Sequence, residues 1–165
     1  MIPGLPIETL LIIHVAISLA GIVTGLVAMA ALAAGRWLGS WQAAFLVTTA
    51  LTSLTGFLFP FGGVTPAFLF GVVSMAALAI AAASWPVRRI RAAGIAYAVA
   101  ATLALYLNLF VLIVQSFQKL PSLQPLAPTQ SEPPFLIAQI LLLVAALVIG
   151  TLAIRADRRP LTPAR

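Results

Sequence analysis

AAGIAYAVAATLALYLNLFVLIVQSFQ, residues 92–118, decides the fold. The stretch has no charged residue and no proline. As an α-helix rising about 1.5 Å per residue it exceeds the roughly 30 Å hydrocarbon core of a bilayer, with length to spare for tilt. Tyr97, Ala101, Ala104, Asn108, Gln115 and Lys119 recur along one stripe of that helix. Helices in lipid pack through small residues and a few hydrogen bonds, because lipid is as apolar as leucine. The stripe has that chemistry.

Outward from it, four more apolar segments appear. The spacing predicts membrane spans over residues 7–34, 39–59, 66–85, 92–118 and 134–154. Thr65-Pro66 and Ser131-Glu132-Pro133-Pro134 read as helix starts, since proline at a first helical position sacrifices no hydrogen bond. Pro86 and Pro121 stop the third and fourth helices. Between the last two spans runs KLPSLQPLAPTQSEPPF, Lys119–Phe135. Prolines limit the freedom of the unfolded chain, so residues 119–133 are expected to form an ordered lid. Residues 155–165 make a basic tail. Residues 1–165 thus read as one domain, an all-α integral membrane bundle of five transmembrane helices.

Composition and charge agree. Of 165 residues, 62% are hydrophobic and only 7% charged, far below the quarter usual in soluble domains. Nine residues are basic and three acidic. Arg36, Arg88, Arg89, Arg91, Arg155, Arg158, Arg159 and Arg165 all fall at one side of the five-span arrangement, and Lys119, Glu8 and Glu132 at the other. The positive-inside rule then sets the N-terminus outside and the C-terminus inside. The pI near 11.5 is a topology signal, and a nucleic-acid partner is excluded on that ground. Trp37, Trp41 and Trp85 fall at the inner ends as an aromatic belt. The first helix lacks a basic n-region and a cleavage site, and reads as a retained span.

Cysteine is absent and histidine occurs once. Disulfides, thiolate metal sites and covalent c-type haem attachment are excluded. HExxH, GxSxG, Walker and dinucleotide motifs are absent, and catalysis by side chains alone is not expected.

The remaining polar residues define candidate faces. His14, Ser18, Gly21, Gly25 and Ala28 align on the first helix, with a GxxxG spacing. Thr48, Thr52 and Thr55 align on the second, Gly71, Met75, Leu78 and Ala82 on the third, and Gln139, Ala146, Gly150 and Ala153 on the fifth. His14, Thr52, Asn108, Gln115, Glu132 and Gln139 are the candidate ligand-binding residues, gathered toward the outer half. His14 reads as a proton acceptor, a quinone partner or an axial haem ligand, or else as a helix–helix hydrogen bond to the threonine row.

HVAISLAGIVTGL (His14–Leu26), TTALTSLTGFLFPF (Thr48–Phe61), ALYLNLFVLIVQSFQKLP (Ala104–Pro121) and LAPTQSEPPF (Leu126–Phe135) resemble a family of small, uncharacterised bacterial inner-membrane proteins. The resemblance implies a bacterial inner (cytoplasmic) membrane and supplies no catalytic residues. The expected function is noncatalytic: binding an apolar ligand with a polar head, a quinone or lipid, in the outer half, or serving as a small subunit. Partners are the lipid bilayer and a homo-oligomer or larger membrane complex. The alternatives are a haem b redox protein, with His14 from each of two copies, and a small transporter or proton-coupled carrier.

Overall fold

Helix ends fall where proline and glycine chemistry puts them. In the computed structural model, which describes residues 6–59 and 66–157, the order is α1 (Ile7–Ala33), α2 (Gly39–Phe57), α3 (Pro66–Ser84), α4 (Arg91–Lys119), a 3-10 turn (Gln124–Leu126) and α5 (Pro133–Asp157). No strand occurs among the described residues. The all-α class and five helices are as expected, within a few residues at each end. Expectations for residues 1–5, for the 60–65 turn with its Thr65 cap, and for residues 158–165 lie outside the described residues.

Gly35 ends α1 in the left-handed region, with φ 77°, where a side chain is disfavoured. Its N–H bonds to the Leu32 carbonyl and the Arg36 N–H bonds to that of Ala31. These two bonds satisfy carbonyls that the helix end leaves open. At the start of α5, the Glu132 carbonyl accepts from the Phe135 and Leu136 amides at 3.1 and 3.2 Å. Pro133 and Pro134 fill positions whose N–H groups would have lacked partners.

The helices form a ring, α1–α2–α3–α4–α5, closed by α1 on α5, and α4 touches all the others. Consecutive helices are antiparallel. Phe70 of α3 and Trp85 just after it meet Phe110 and Tyr97 of α4. Phe117 and Thr102 of α4 lie against Phe135 and Gly150 of α5. The core is rich in alanine: Ala28, Ala81, Ala101, Ala104 and Ala153 are fully buried, with Met29 and Phe45. Gly25 brings α1 so close that a Cβ there would lie 2.7 Å from the Phe45 ring. The GxxxG face of α1 therefore serves packing against α2. So does Gly150 against α4, where a Cβ would lie 3.2 Å from Thr102.

Two expected faces are turned. On α3 the buried residues are Ser74, Ala77, Leu78, Ala81 and Ser84, while Ala82 is exposed. On α2 they are Gln42, Phe45, Thr49 and Ser53, one position away from the Thr48–Thr52–Thr55 row. Those three threonines form the half-buried edge beside α1. α3 is apolar nearly all round, so hydropathy marks no single inner face, and on α2 polar residues stand on both the half-buried and the buried rows.

The outer surface is apolar: Ile12 is 70% exposed and Leu141 64%. Three helices, α1, α4 and α5, are long and apolar enough to cross a membrane. In α2 the polar row lowers the hydropathy, and in α3 the apolar stretch Phe68–Ser84 is shorter.

Candidate polar site at the lid end

The two ends of the bundle differ in how their polar groups are paired. At the arginine end, Trp37 follows α1, Gln42 opens α2, Trp85 follows α3 and Tyr97 lies in the second turn of α4. The Tyr97 hydroxyl donates to Gln42 Oε1 at 2.7 Å, and Gln42 Nε2 donates to the Ala28 carbonyl at 3.0 Å. The Trp37 ring meets Trp85 and Tyr97 edge-on, each at 5.2 and 5.2 Å between centroids. Arg88 lies 3.9 Å over Trp37 and donates to the Trp85 carbonyl. Trp37 and Trp85 thus turn into the bundle, whereas Trp41 is 40% exposed and keeps the belt position. The cluster ties α1, α2 and α4 together, and both ends of the Gln42 amide are used.

The lid end is different. His14 Nδ1 lies 2.8 Å from Thr55 Oγ1, an α1–α2 bond. The Phe59 ring meets the imidazole edge-on at 5.4 Å. His14 Nε2 has no protein partner among the described residues. Asn108 Nδ2 donates to the fully buried Thr49 hydroxyl at 3.1 Å, joining α4 to α2. Gln139 Nε2 donates to the Phe110 carbonyl at 3.4 Å, joining α5 to α4, and its Oε1 is buried without a partner. Thr52 donates back to the Thr48 carbonyl, as helical threonines do. Gln115 is exposed.

Glu132 belongs to the lid. Its Oε1 accepts from the Thr129 amide at 3.1 Å and the Thr129 hydroxyl at 2.8 Å, and its Oε2 from the Ser131 amide at 3.1 Å. Desolvation raises the carboxyl pKa, but the bonds from the Thr129 hydroxyl and from the amides of residues 132, 129 and 131 outweigh it and hold the group below the ordinary carboxylate value. Gln130, with φ 60°, donates to the Val114 carbonyl of α4 at 3.3 Å. Ala127 is buried with Phe117 and Phe135, and Leu123, Ile113 and Val114 pack around them. The proline-rich loop is folded onto the α4–α5 end.

The six expected site residues therefore fall on separate contacts. His14 joins α1 to α2, Asn108 joins α2 to α4, and Gln139 joins α4 to α5. Glu132 folds the lid, Thr52 bonds to its own helix, and Gln115 faces outward. No group of three potential metal-binding side chains gathers among the described residues. An open apolar groove of about 330 Å³ runs along α5 between Val144 and Arg155, and none of the six lines it.

Sequence reasoning missed Gln42 and Thr49. The signal for both was present: Gln42, Phe45, Thr49 and Ser53 recur at helical spacing. Ser74, expected beside the Gly71–Met75–Leu78–Ala82 face, is itself on the buried face, and its Oγ has no partner. Comparison with protein-family models, with curated proteins and with solved structures finds no match to this chain.

Proposed function

We propose that this is a noncatalytic integral membrane protein whose lid-end half binds an apolar molecule with a polar head, a quinone or lipid. One observation supports the reading: the unequal satisfaction of polar groups. At the arginine end every amide atom of Gln42 is paired. In the opposite half the buried Gln139 Oε1 has no partner, and half-buried His14 Nε2 has none among the described residues. Buried polar atoms are paired as a rule, and each exception calls for an explanation. Ligand sites combine an apolar lining with a few placed polar groups, and at His14 the Phe59 ring is the apolar neighbour.

In this reading all five helices cross the inner membrane of a bacterium. α2 has 19 residues, about 29 Å at the helical rise, which matches the hydrocarbon core. It lies in a ring with α1, which is apolar enough to span. The arginine end faces the cytoplasm and the lid end the periplasm, following the positive-inside rule. Purification in mild detergent, with extraction and mass spectrometry of retained lipids, tests the binding. A stoichiometric amphiphile is expected, and its weaker retention in the His14→Phe variant would locate it. A lipid-free, stable protein refutes the proposal. A second reading, haem b held by His14 of two copies, draws on the same unpartnered Nε2. A Soret band in the purified protein would decide for it.

A further inference from the structure

We infer that the head group received at His14 is a hydrogen-bond donor, an alcohol or phenol, and not a carbonyl; the inference rests on the binding function proposed above and narrows its quinone or lipid to the reduced quinol or a lipid hydroxyl. The argument starts at Thr55. Its hydroxyl lies 2.8 Å from the Leu51 carbonyl and 3.0 Å from that of Thr52. A hydroxyl has one proton, and the back-bond to the helix carbonyls takes it. With the proton on that back-bond the oxygen presents lone pairs to His14, and we assign the proton of the 2.8 Å contact to Nδ1. A neutral imidazole has one N–H. His14 Nε2 is therefore the lone-pair nitrogen.

Among the described residues no donor reaches that nitrogen. The ring is half-buried. Its flanks are apolar and close. The Phe59 ring packs edge-on, and Gly56 lies alongside, where a Cβ would sit in ordinary van der Waals contact at 3.6 Å from the imidazole Cε1. The same unmet need recurs at Gln139, whose buried Oε1 is also an acceptor without a donor. A carbonyl head would bring acceptors to acceptors. A hydroxyl supplies the missing proton. Lys119 ends α4 on this side of the bundle, and its charge disfavours an ammonium as the donor.

The chain has one histidine, so its ring nitrogens can be followed alone. Protein with 15N-labelled histidine is placed in lipid nanodiscs at pH 8, above the ordinary histidine pKa of about 6.5. The expected spectrum shows a protonated Nδ1 and an unprotonated Nε2. Decylubiquinol is then titrated against its oxidised form, decylubiquinone, which has the same tail. The diphenol is expected to shift the Nε2 resonance and to bind roughly tenfold more tightly, the worth of one hydrogen bond of about 1.4 kcal/mol. In His14→Phe the two forms are expected to bind alike. A proton on Nε2, or equal binding of the two forms to the unaltered protein, overturns the donor inference and leaves the apolar site standing. If neither form binds and the purified protein is lipid-free, the binding function fails and the inference with it.

Discussion

Removing the Tyr97 hydroxyl tests the lock at the arginine end. Tyr97 is 1% exposed and Gln42 is fully buried. In Tyr97→Phe the shape is kept, but Gln42 Oε1 loses its 2.7 Å partner and stays buried. A stranded buried acceptor costs about 1–3 kcal/mol. Gln42→Leu strands the tyrosine hydroxyl in turn, at a similar cost. It also removes the bond from Nε2 to the Ala28 carbonyl, a smaller loss because that carbonyl lies inside α1. The double variant leaves neither group stranded, so it should lose much less than the sum of the singles. Interhelical hydrogen bonds in lipid couple by about 0.6 kcal/mol on average and about 1.7 at most, because unfolded chains in the bilayer also find partners. The depth of burial and the short bond place this pair near the upper figure, at about 1.5 kcal/mol. Reversible unfolding by sodium dodecyl sulfate in mixed micelles measures all four corners of the cycle. Additivity of the two single losses within about 0.3 kcal/mol would refute the argument, since independent sites behave in that way.

Gly25→Ala sets a Cβ 2.7 Å from the buried Phe45 ring and 2.8 Å from Leu105 Cδ1. Overpacking of about 1–3 kcal/mol exceeds the helix-propensity gain of at most about 1, so the same unfolding assay should show a net loss. Gly21→Ala, at 3.3 Å from Thr48 Oγ1, should change stability much less. Gln139→Leu removes an unpartnered buried acceptor and only one long hydrogen bond, and is expected to leave stability unchanged or slightly raised while weakening amphiphile retention. Glu132 titrates below its ordinary value in the folded lid. The sign follows: its contribution is complete above the unfolded pKa of about 4.3 and is lost as the pH falls through the lower folded value. The protection of the Thr129 and Ser131 amides, taken against the intrinsic exchange rate at each pH, should therefore be high at neutral pH and fall in acid, and Glu132→Gln should show the low protection at pH 7.

The number and limits of the helices were legible because charge, proline and glycine interrupt an otherwise apolar chain at Gly35, Pro86, Pro121 and Pro133. Those interruptions act locally, so they survive into the fold. The faces were less legible. In water, the polar side of a helix marks its outside. Here Ile12 and Leu141 on the outer surface are as apolar as Phe45 and Met29 within it, and only small or polar residues mark an inner face. That cue located Gly21 and Gly25 correctly but placed the inner row of α2 at Thr48–Thr52–Thr55, one position from Gln42–Thr49–Ser53. Three threonines in a row outweigh one glutamine on paper. In the bundle the hydroxyls can return their protons to their own helix, whereas a glutamine amide has more valence than its own turn can absorb. Gln42 therefore has to face other helices, and the Tyr97 hydroxyl and Ala28 carbonyl are what it finds. The same reasoning applies at His14, whose second nitrogen cannot turn back to its own backbone. Capacity that local bonding cannot absorb must be met across the bundle or from outside it, and among the described residues His14 finds only Thr55.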